Sequence, residues 1–287
     1  LADRLRMMRL AVLGHPVSHS RSPVMQNAAL AAAGLDGWRY EAIDVAPGDF
    51  AELVRSLPGQ GFAGVNVTVP HKEAALAIAD QASGAAAAIG AANTLTFEDG
   101  LIRADNTDAP GLIDALTGRN GDADRDTASG QGKLAGKRAL ALGAGGAGRA
   151  VVWALAGAGM EVMLWNRTHS KAEQLAAELG VEVIPPEQHG AIDPGPFAVI
   201  VNASAAGLGG GDGLADLPLD PGGFHPGQTV VDMVYGETPG TLIATAMQDG
   251  AKTVDGLEIL VRQGARSFEI WTGKRPDLES MRQAART

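Results

Sequence analysis

Short aliphatic and β-branched runs alternate along this chain with stretches of helical periodicity. That rhythm restricts the fold more than any other feature of the sequence. Residues 9–13 read as a strand, 23–33 as a helix stopped by Gly34, 38–45 as an alternating strand, and 49–57 as a helix running up to Pro58. A β-branched run at 62–69, bounded by glycine and proline, is the next strand, and 72–81 is helical. Two alternating runs within 93–106 meet at Asp99-Gly100, a dipeptide that favours a tight hairpin turn. A helix over 110–116 follows. Strands separated by helices bury both sheet faces, so the pattern predicts an α/β fold with a mostly parallel sheet covered on both sides.

Residues 117–133 contain almost no apolar side chain, which predicts a flexible connection and places a domain boundary near it. Beyond it the rhythm restarts, with strands expected at 138–142, 161–165, 182–184, 198–202 and 229–234, and helices at 149–156, 170–179 and 241–248. A second loop, rich in glycine and proline, spans 207–223. A long amphipathic helix over 257–271 and a short one after Pro276 close the chain. At 287 residues there is room for two domains of ordinary size.

The formal net charge of −10, with no basic run, does not suit nucleic acid. An anionic ligand would need a local positive site working against that mean field. The chain has no cysteine, which excludes disulfides and thiolate metal sites and fits a cytoplasmic location. The apolar residues before Gly14 are too few for a secretory leader, and Met7 or Met8 is the expected start. Arg149 and Glu161 interrupt the most membrane-like region, 139–165, so it reads as buried strand, turn and helix, and no membrane partner is expected. His15, His71, His169, His189 and His225 show no metal-ligand spacing, and no metal is expected.

In the second half, "LALGAGGAGRA" places Gly143, Gly145 and Gly148 in a G-x-G-x-x-G pattern between a strand and a helix. In that βαβ setting the helix N-terminus faces a pyrophosphate. Where an NAD site usually carries a carboxylate for the ribose hydroxyl, this chain has Asn166-Arg167-Thr168, with Lys171 just beyond. Arg167 and Lys171 can pair with a 2′-phosphate, which predicts NADP over NAD. In the first half, "GVNVTVPHK" puts Asn66, Thr68 and Pro70 on one strand face and Val65, Val67 and Val69 on the other. Polar residues on a buried parallel strand point to a cavity at its carboxyl end. Lys72 opens the next helix, where the dipole disfavours a cation, so a catalytic role explains it better than a surface one. Asn93 in "GAANT" and Asp108 in "NTD" are further polar strand-end residues, and "GHPVSHSRSPVMQN" crowds hydroxyls and positive charge into a strand-to-helix turn.

Together "PVSHSRSP", "GVNVTVPHK", "GAANT", "NTD", "GAGGAGRA", "NRT", "VNAS", "VDMVY" and "DGLEILVRQGA" resemble the shikimate dehydrogenase family over nearly the whole chain. The resemblance implies a substrate domain built from residues 1–107 and 257–287, an inserted Rossmann-type NADP domain over 108–256, and an active site in the cleft between them. It implies that Ser18 and Ser20 bind the substrate carboxylate and that Thr68 aids ring binding, with His19 and Arg21 adding positive potential. Asn66, Asn93, Tyr235 and Gln263 would contact ring hydroxyls or carboxylate, and Lys72 and Asp108 would form the catalytic pair. Gly143, Ala144, Gly145, Gly146 and Ala147 would make the phosphate turn, and Asn166, Arg167, Thr168 and Lys171 the 2′-phosphate site. Ser204 would contact the cofactor, Met233 would lie by the nicotinamide, and Gly256 would allow close backbone approach.

The implied reaction is the reversible, NADPH-dependent reduction of 3-dehydroshikimate to shikimate, in aromatic amino-acid biosynthesis. The implied assembly is a monomer or homodimer. This chain departs from the family pattern at Gln26, where histidine is frequent, at Ala104-Asp105 before "NTD", and in "YGETPGT" after Tyr235. A quinate/shikimate dehydrogenase with a looser pocket or dual cofactor use is the near alternative, and a non-catalytic NADP-binding sensor is the alternative of another class. A methylenetetrahydrofolate-type dehydrogenase would not need the Ser18/Ser20 turn.

Overall fold

A computed structural model describes residues 7–118, 134–188, 190–208, 211–236 and 240–287. The polar connection expected over 117–133 lies outside the described residues from 119 onward. So do His189, residues 209–210 of the second loop, residues 237–239 of "YGETPGT" and the segment before Met7. The chain divides into two compact units, Leu1–Asp108 with Leu260–Thr287, and Ala109–Ile259. Asp108, expected to open the second domain, falls in the first.

The first unit runs β1 (Met8–Gly14), α1 (Ser22–Ala32), β2 (Trp38–Asp44), α2 (Phe50–Ser56), β3 (Phe62–Val67), α3 (Lys72–Ala77), β4 (Gln81–Ala82), α4 (Gly84–Ile89), β5 (Thr94–Glu98) and β6 (Leu101–Asp105). Helix α5 (Asp108–Thr117) leads out of it. Its sheet has the order β2-β1-β3-β5-β6-β4. β1 pairs in parallel with β2 and β3, but β5 is antiparallel to both β3 and β6. β4 is again parallel to β6, so the sheet is mixed with three parallel and two antiparallel pairings, the latter because the Asp99-Gly100 hairpin enters it as two adjacent strands. Both turn residues have positive φ, 55° and 76°.

One edge of this sheet gathers the polar segments. The carboxyl ends of β1 and β3 point the same way, and reversing β5 brings its amino end, with Asn93, to that edge. Reversing again at β6 brings Asn106, Thr107 and Asp108 there too. Asn93 thus precedes a strand instead of ending one, yet reaches the same place. The opposite chain direction is offset by the opposite strand direction.

Three local expectations need correction. The helix expected over 72–81 stops at Ala77, because Asp80 takes up both backbone groups of Ile102 and residues 81–82 pair with β6. Helix α4 has no counterpart in the expected pattern, although Ser83 caps it through Ala86 N–H at 3.1 Å. Strand β3 ends at Val67, and Val69 is 57% exposed, not packed with Val65 and Val67. The amide of His71 bonds back to Thr68 O, and this turn lifts Val69 into solvent.

The second unit contains β7 (Arg138–Leu142), α6 (Gly146–Gly157), β8 (Glu161–Trp165), α7 (His169–Leu179), β9 (Glu182–Val183), β10 (Val199–Asn202), β11 (Thr229–Asp232), α8 (Thr241–Gln248) and β12 (Lys252–Val254). Its sheet is wholly parallel, in the order β12-β11-β10-β7-β8-β9. The chain travels outward from β7 to β9, then returns to β10 on the other side of β7. The strand order reverses between β7 and β10, the place where open α/β sheets bind ligands. Leu140, Ile200, Val230 and Leu242 fill the core beneath. Helix α9 (Gly256–Thr272) begins in this unit and continues into the first, where α10 (Leu278–Arg286) packs on α1.

Candidate active site

Lys72 is the first residue of α3, and it is buried. Its Nζ lies 2.5 Å from Asp108 Oδ2, with side-chain exposures of 11% and 5%. A buried charge needs a partner and further hydrogen bonds, and both are present. The other carboxylate oxygen of Asp108 accepts from Asn93 Nδ2 at 2.9 Å, and its backbone N–H donates to Asn106 Oδ1 at 3.1 Å. Asn93 Nδ2 also donates to Gln263 Oε1 and Thr107 Oγ1, while its Oδ1 accepts from Thr107 N–H at 2.7 Å. These bonds allow one orientation of the Asn93 amide, with nitrogen toward the carboxylate.

A second layer joins α9 to the strand ends. Ser267 Oγ, fully buried, lies 2.9 Å from both Asn66 Nδ2 and Thr94 Oγ1 and 3.1 Å from Thr107 Oγ1. Asn66 also donates to Asn93 O and accepts from the Tyr40 hydroxyl at 2.8 Å. The structure therefore brings Asn66, Lys72, Asn93, Asp108 and Gln263 into one connected polar cluster. Tyr40, Thr94, Thr107 and Ser267 belong to it as well, and sequence reasoning assigns them no role. Ser267 could have been found, since it sits one helical turn beyond Gln263 on the same face of α9.

Ser18 and Ser20 follow β1 at the same sheet edge. Ser18 is exposed; Ser20 is half-buried, and its Oγ accepts from Ser22 N–H. Their loop is held by Asp44 at the end of β2, which bonds His15 Nδ1 at 2.7 Å and Val17 N–H at 3.0 Å. The His15 hydrogen bond keeps the Asp44 carboxyl below its usual range. Thr68 packs against the start of the loop, where a Cβ on Gly14 would come 2.5 Å from Thr68 Cγ2.

In the second unit the glycine turn sits at the strand-order reversal. Gly143 has φ +117°, and a Cβ there would lie 2.8 Å from Ala203 O and Ser204 N. A Cβ on Gly148 would come 2.0 Å from Gly143 O, so the turn closes only with glycine at both positions. The turn leads into the N-terminus of α6, which has no side-chain cap, so its first N–H groups suit a pyrophosphate. Asn166 spans the turn, accepting from Ala144 N–H at 3.1 Å and donating to Thr168 O at 2.9 Å. Thr168 occupies the N-cap position of α7 without a side-chain cap bond. Arg167 and Lys171 are exposed, and neither has a carboxylate partner among the described residues. These groups fit NADP(H): a glycine cradle for the pyrophosphate and two uncommitted cations for a 2′-phosphate. Ser204 is tied to Asn202, and Met233 and Tyr235 are half-buried on the loop after β11.

Among the described residues no helix is long and apolar enough to cross a membrane, and no cluster of His, Cys, Asp and Glu could hold a metal ion. Three family models match the chain: the shikimate dehydrogenase substrate binding domain at residues 12–95, shikimate/quinate 5-dehydrogenase at 126–189, and the shikimate 5′-dehydrogenase C-terminal domain at 256–286. A shikimate dehydrogenase (NADP(+)) of Mesorhizobium japonicum is 43% identical over 93% of this chain and 91% of its own length. The crystal structure of shikimate 5-dehydrogenase from Thermus thermophilus, in complex with NADP(H) and shikimate, is 40% identical with a TM-score of 0.82, covering 98% of this chain and 99% of that one. The ligand-free 5-ketofructose reductase of a Gluconobacter species has the same TM-score at 30% identity, covering 98% of both chains. One fold thus serves more than one carbonyl substrate, and the site rather than the fold has to identify the function. With its cluster of Lys72, Asp108, Asn93 and Gln263, its NADP-type turn, and relatives of this identity along nearly its full length, the chain belongs to the shikimate dehydrogenase family and is an NADP-dependent oxidoreductase.

Proposed function

We propose that this chain interconverts 3-dehydroshikimate and shikimate with Lys72 and Asp108 as its catalytic pair, the first unit taking the substrate and the second the dinucleotide. The observation that carries this reading is the buried 2.5 Å contact between Lys72 Nζ and Asp108 Oδ2, set among amide and hydroxyl groups. NADPH, when bound, supplies the hydride. A ketone receiving hydride becomes an alkoxide, which needs positive charge as it forms and a proton to finish. The Lys72 ammonium offers both: it draws charge onto the oxygen and then donates one proton to it. Asp108 holds the ammonium in place, and Asn93 holds Asp108. In the reverse direction the lysine amine takes the proton back from the alcohol.

Ser18, Ser20 and Thr68 are assigned to the substrate carboxylate and ring. Hydroxyls on a turn suit an anion bound without full charge neutralisation. Gln263, Asn66, Asn93 and Tyr235 are assigned to ring hydroxyls. Gly143 to Ala147 would hold the pyrophosphate, Asn166, Arg167, Thr168 and Lys171 the adenosine 2′-phosphate, and Ser204, Met233 and Gly256 the nicotinamide half.

The test is a spectrophotometric panel with purified protein: shikimate or quinate, each with NADP⁺ or NAD⁺, and 5-ketofructose with NADPH. Turnover greatest with shikimate and NADP⁺ is expected. Turnover confined to quinate or 5-ketofructose would move the assignment elsewhere in the family, and silence with every pair would leave a dinucleotide-binding sensor.

A further inference from the structure

The second unit contains a buried carboxylate that the proposed reaction does not use. Asp232 ends β11 and is 4% exposed. Its Oδ1 accepts from Asn202 Nδ2 at 2.9 Å and from Val234 N–H at 3.0 Å. Asn202 ends the neighbouring strand β10 and is fully buried. Its Oδ1 accepts from both Ser204 N–H, at 3.1 Å, and Ser204 Oγ, at 2.7 Å. Each side of the Asn202 amide is therefore committed, nitrogen to Asp232 and oxygen to Ser204.

The contacts continue in both directions. Ala203 and Ser204 form the wall against which Gly143 closes the glycine turn. The loop after Asp232 carries Met233 and Val234, whose carbonyl groups lie 2.6–2.8 Å from where a Cβ on Gly256 would sit. At the carboxyl edge of the parallel sheet the loops after β10 and β11 are thus tied through one carboxylate–amide pair, and the glycine turn packs against the backbone of the first of them. Met233 N–H also bonds Asn202 O at 2.9 Å, so backbone and side chain fix the same spacing.

We propose that Asp232, acting through Asn202, is a positioning residue that sets the Ser204 and Met233 loops together to receive the nicotinamide half of NADP(H). This rests on the assignment of the second unit to the dinucleotide. Burial pushes the Asp232 carboxyl up to about 6, so placing a charged acceptor here carries an energetic cost. A leucine or valine would bury more cheaply, but would leave the Val234 N–H without its acceptor and the Asn202 amide with only the longer bond to Ala206 O, at 3.4 Å.

The experiment compares two probes on wild type, Asp232→Ala and Asp232→Asn: NADPH by fluorescence titration, and 2′,5′-ADP, which carries only the adenosine half, by calorimetry. Asp232→Ala is expected to weaken NADPH about tenfold or more while changing 2′,5′-ADP affinity less than about twofold, the loss of one strong hydrogen-bond acceptor. Asp232→Asn keeps an oxygen at the Oδ1 position and is expected to restore NADPH affinity. If Asp232→Ala does not fold, Asn202→Ala is measured instead and the same split is expected. Equal loss of both probes, no loss of either, or failure of the asparagine to rescue would overturn the proposal. If wild type binds neither probe, it is the dinucleotide assignment that fails.

Discussion

Removing Asp108 and Lys72 together should cost far less than the sum of removing each alone. In Asp108→Ala the Lys72 ammonium, 11% exposed, loses the carboxylate 2.5 Å away, and Asn93 Nδ2 loses one of its acceptors. Leaving one member of a buried ion pair uncompensated costs about 3–5 kcal/mol. Lys72→Met strands the Asp108 carboxylate in the same way, with a similar expected loss. If the two sites were independent, the double variant would lose the sum, about 6–10 kcal/mol. Because one charge stabilises the other, Lys72→Met with Asp108→Ala should lose no more than either single change, about 3–5 kcal/mol. Equilibrium urea denaturation of the four proteins gives the cycle directly, provided the transition of the first unit is separated from that of the second. Parallel kinetics with shikimate and NADP⁺ should show Lys72→Met lowering kcat about 10²–10⁴-fold, with shikimate affinity changing much less. Losses that add within about 0.5 kcal/mol would refute the coupling, and with it the claim that Asp108 holds the catalytic lysine.

Other consequences are equally open to measurement. Asp232 has a folded-state pKa of about 6 against an ordinary 3.8, so between those values the folded chain holds the proton more tightly and stability falls as pH rises. Above about pH 6 the cost reaches about 3 kcal/mol, so Asp232→Asn should stabilise the second unit at about pH 7.5 and do little at about pH 4; urea midpoints that move equally at both would contradict this. Gly64→Ala would place a Cβ 2.2 Å from Trp271 Nε1 and 2.5 Å from Leu95 O, breaking the indole hydrogen bond to that carbonyl. A loss of about 2 kcal/mol or more is expected in urea, and a neutral result would mean that β3 and α9 are less tightly apposed. Arg167→Ala should raise KM for NADP⁺ about tenfold or more and leave that for NAD⁺ nearly unchanged, the mark of a lost charge-assisted pair with the 2′-phosphate; equal effects on both cofactors would argue against that pairing.

Much of the second unit was legible in advance because its signals are local. The expected strands 138–142 and 161–165 and the helix 241–248 coincide with the observed elements. A run of buried β-branched and aliphatic residues between glycine turns has few other ways to fold. The glycine pattern and the missing carboxylate after β8 likewise name a phosphate-binding turn and its cofactor from residue type alone. The first unit was harder to read. The 72–81 pattern is helical on its own, but pairing of residues 81–82 with β6 claimed its end. Val69 follows the alternation of Val65 and Val67, but a turn closed by His71 turned it outward.

What the sequence alone determined is which chemical groups are available and which short segments carry them: a lysine after a polar strand, an aspartate after a hairpin, hydroxyls in a turn, cations after the second strand of a βαβ unit. Residue type and near-neighbour spacing suffice for that. Which of these groups meet depends on how the sheets and helices pack. Lys72 and Asp108 are brought together because two antiparallel pairings return the chain to one sheet edge. Ser267 reaches Asn66 because the closing helix packs across that edge, and Asp232 meets Asn202 because β10 and β11 are neighbours in the second sheet. These contacts join residues far apart along the chain. Their formation depends on burying whole sheet and helix faces at once, which no local pattern records.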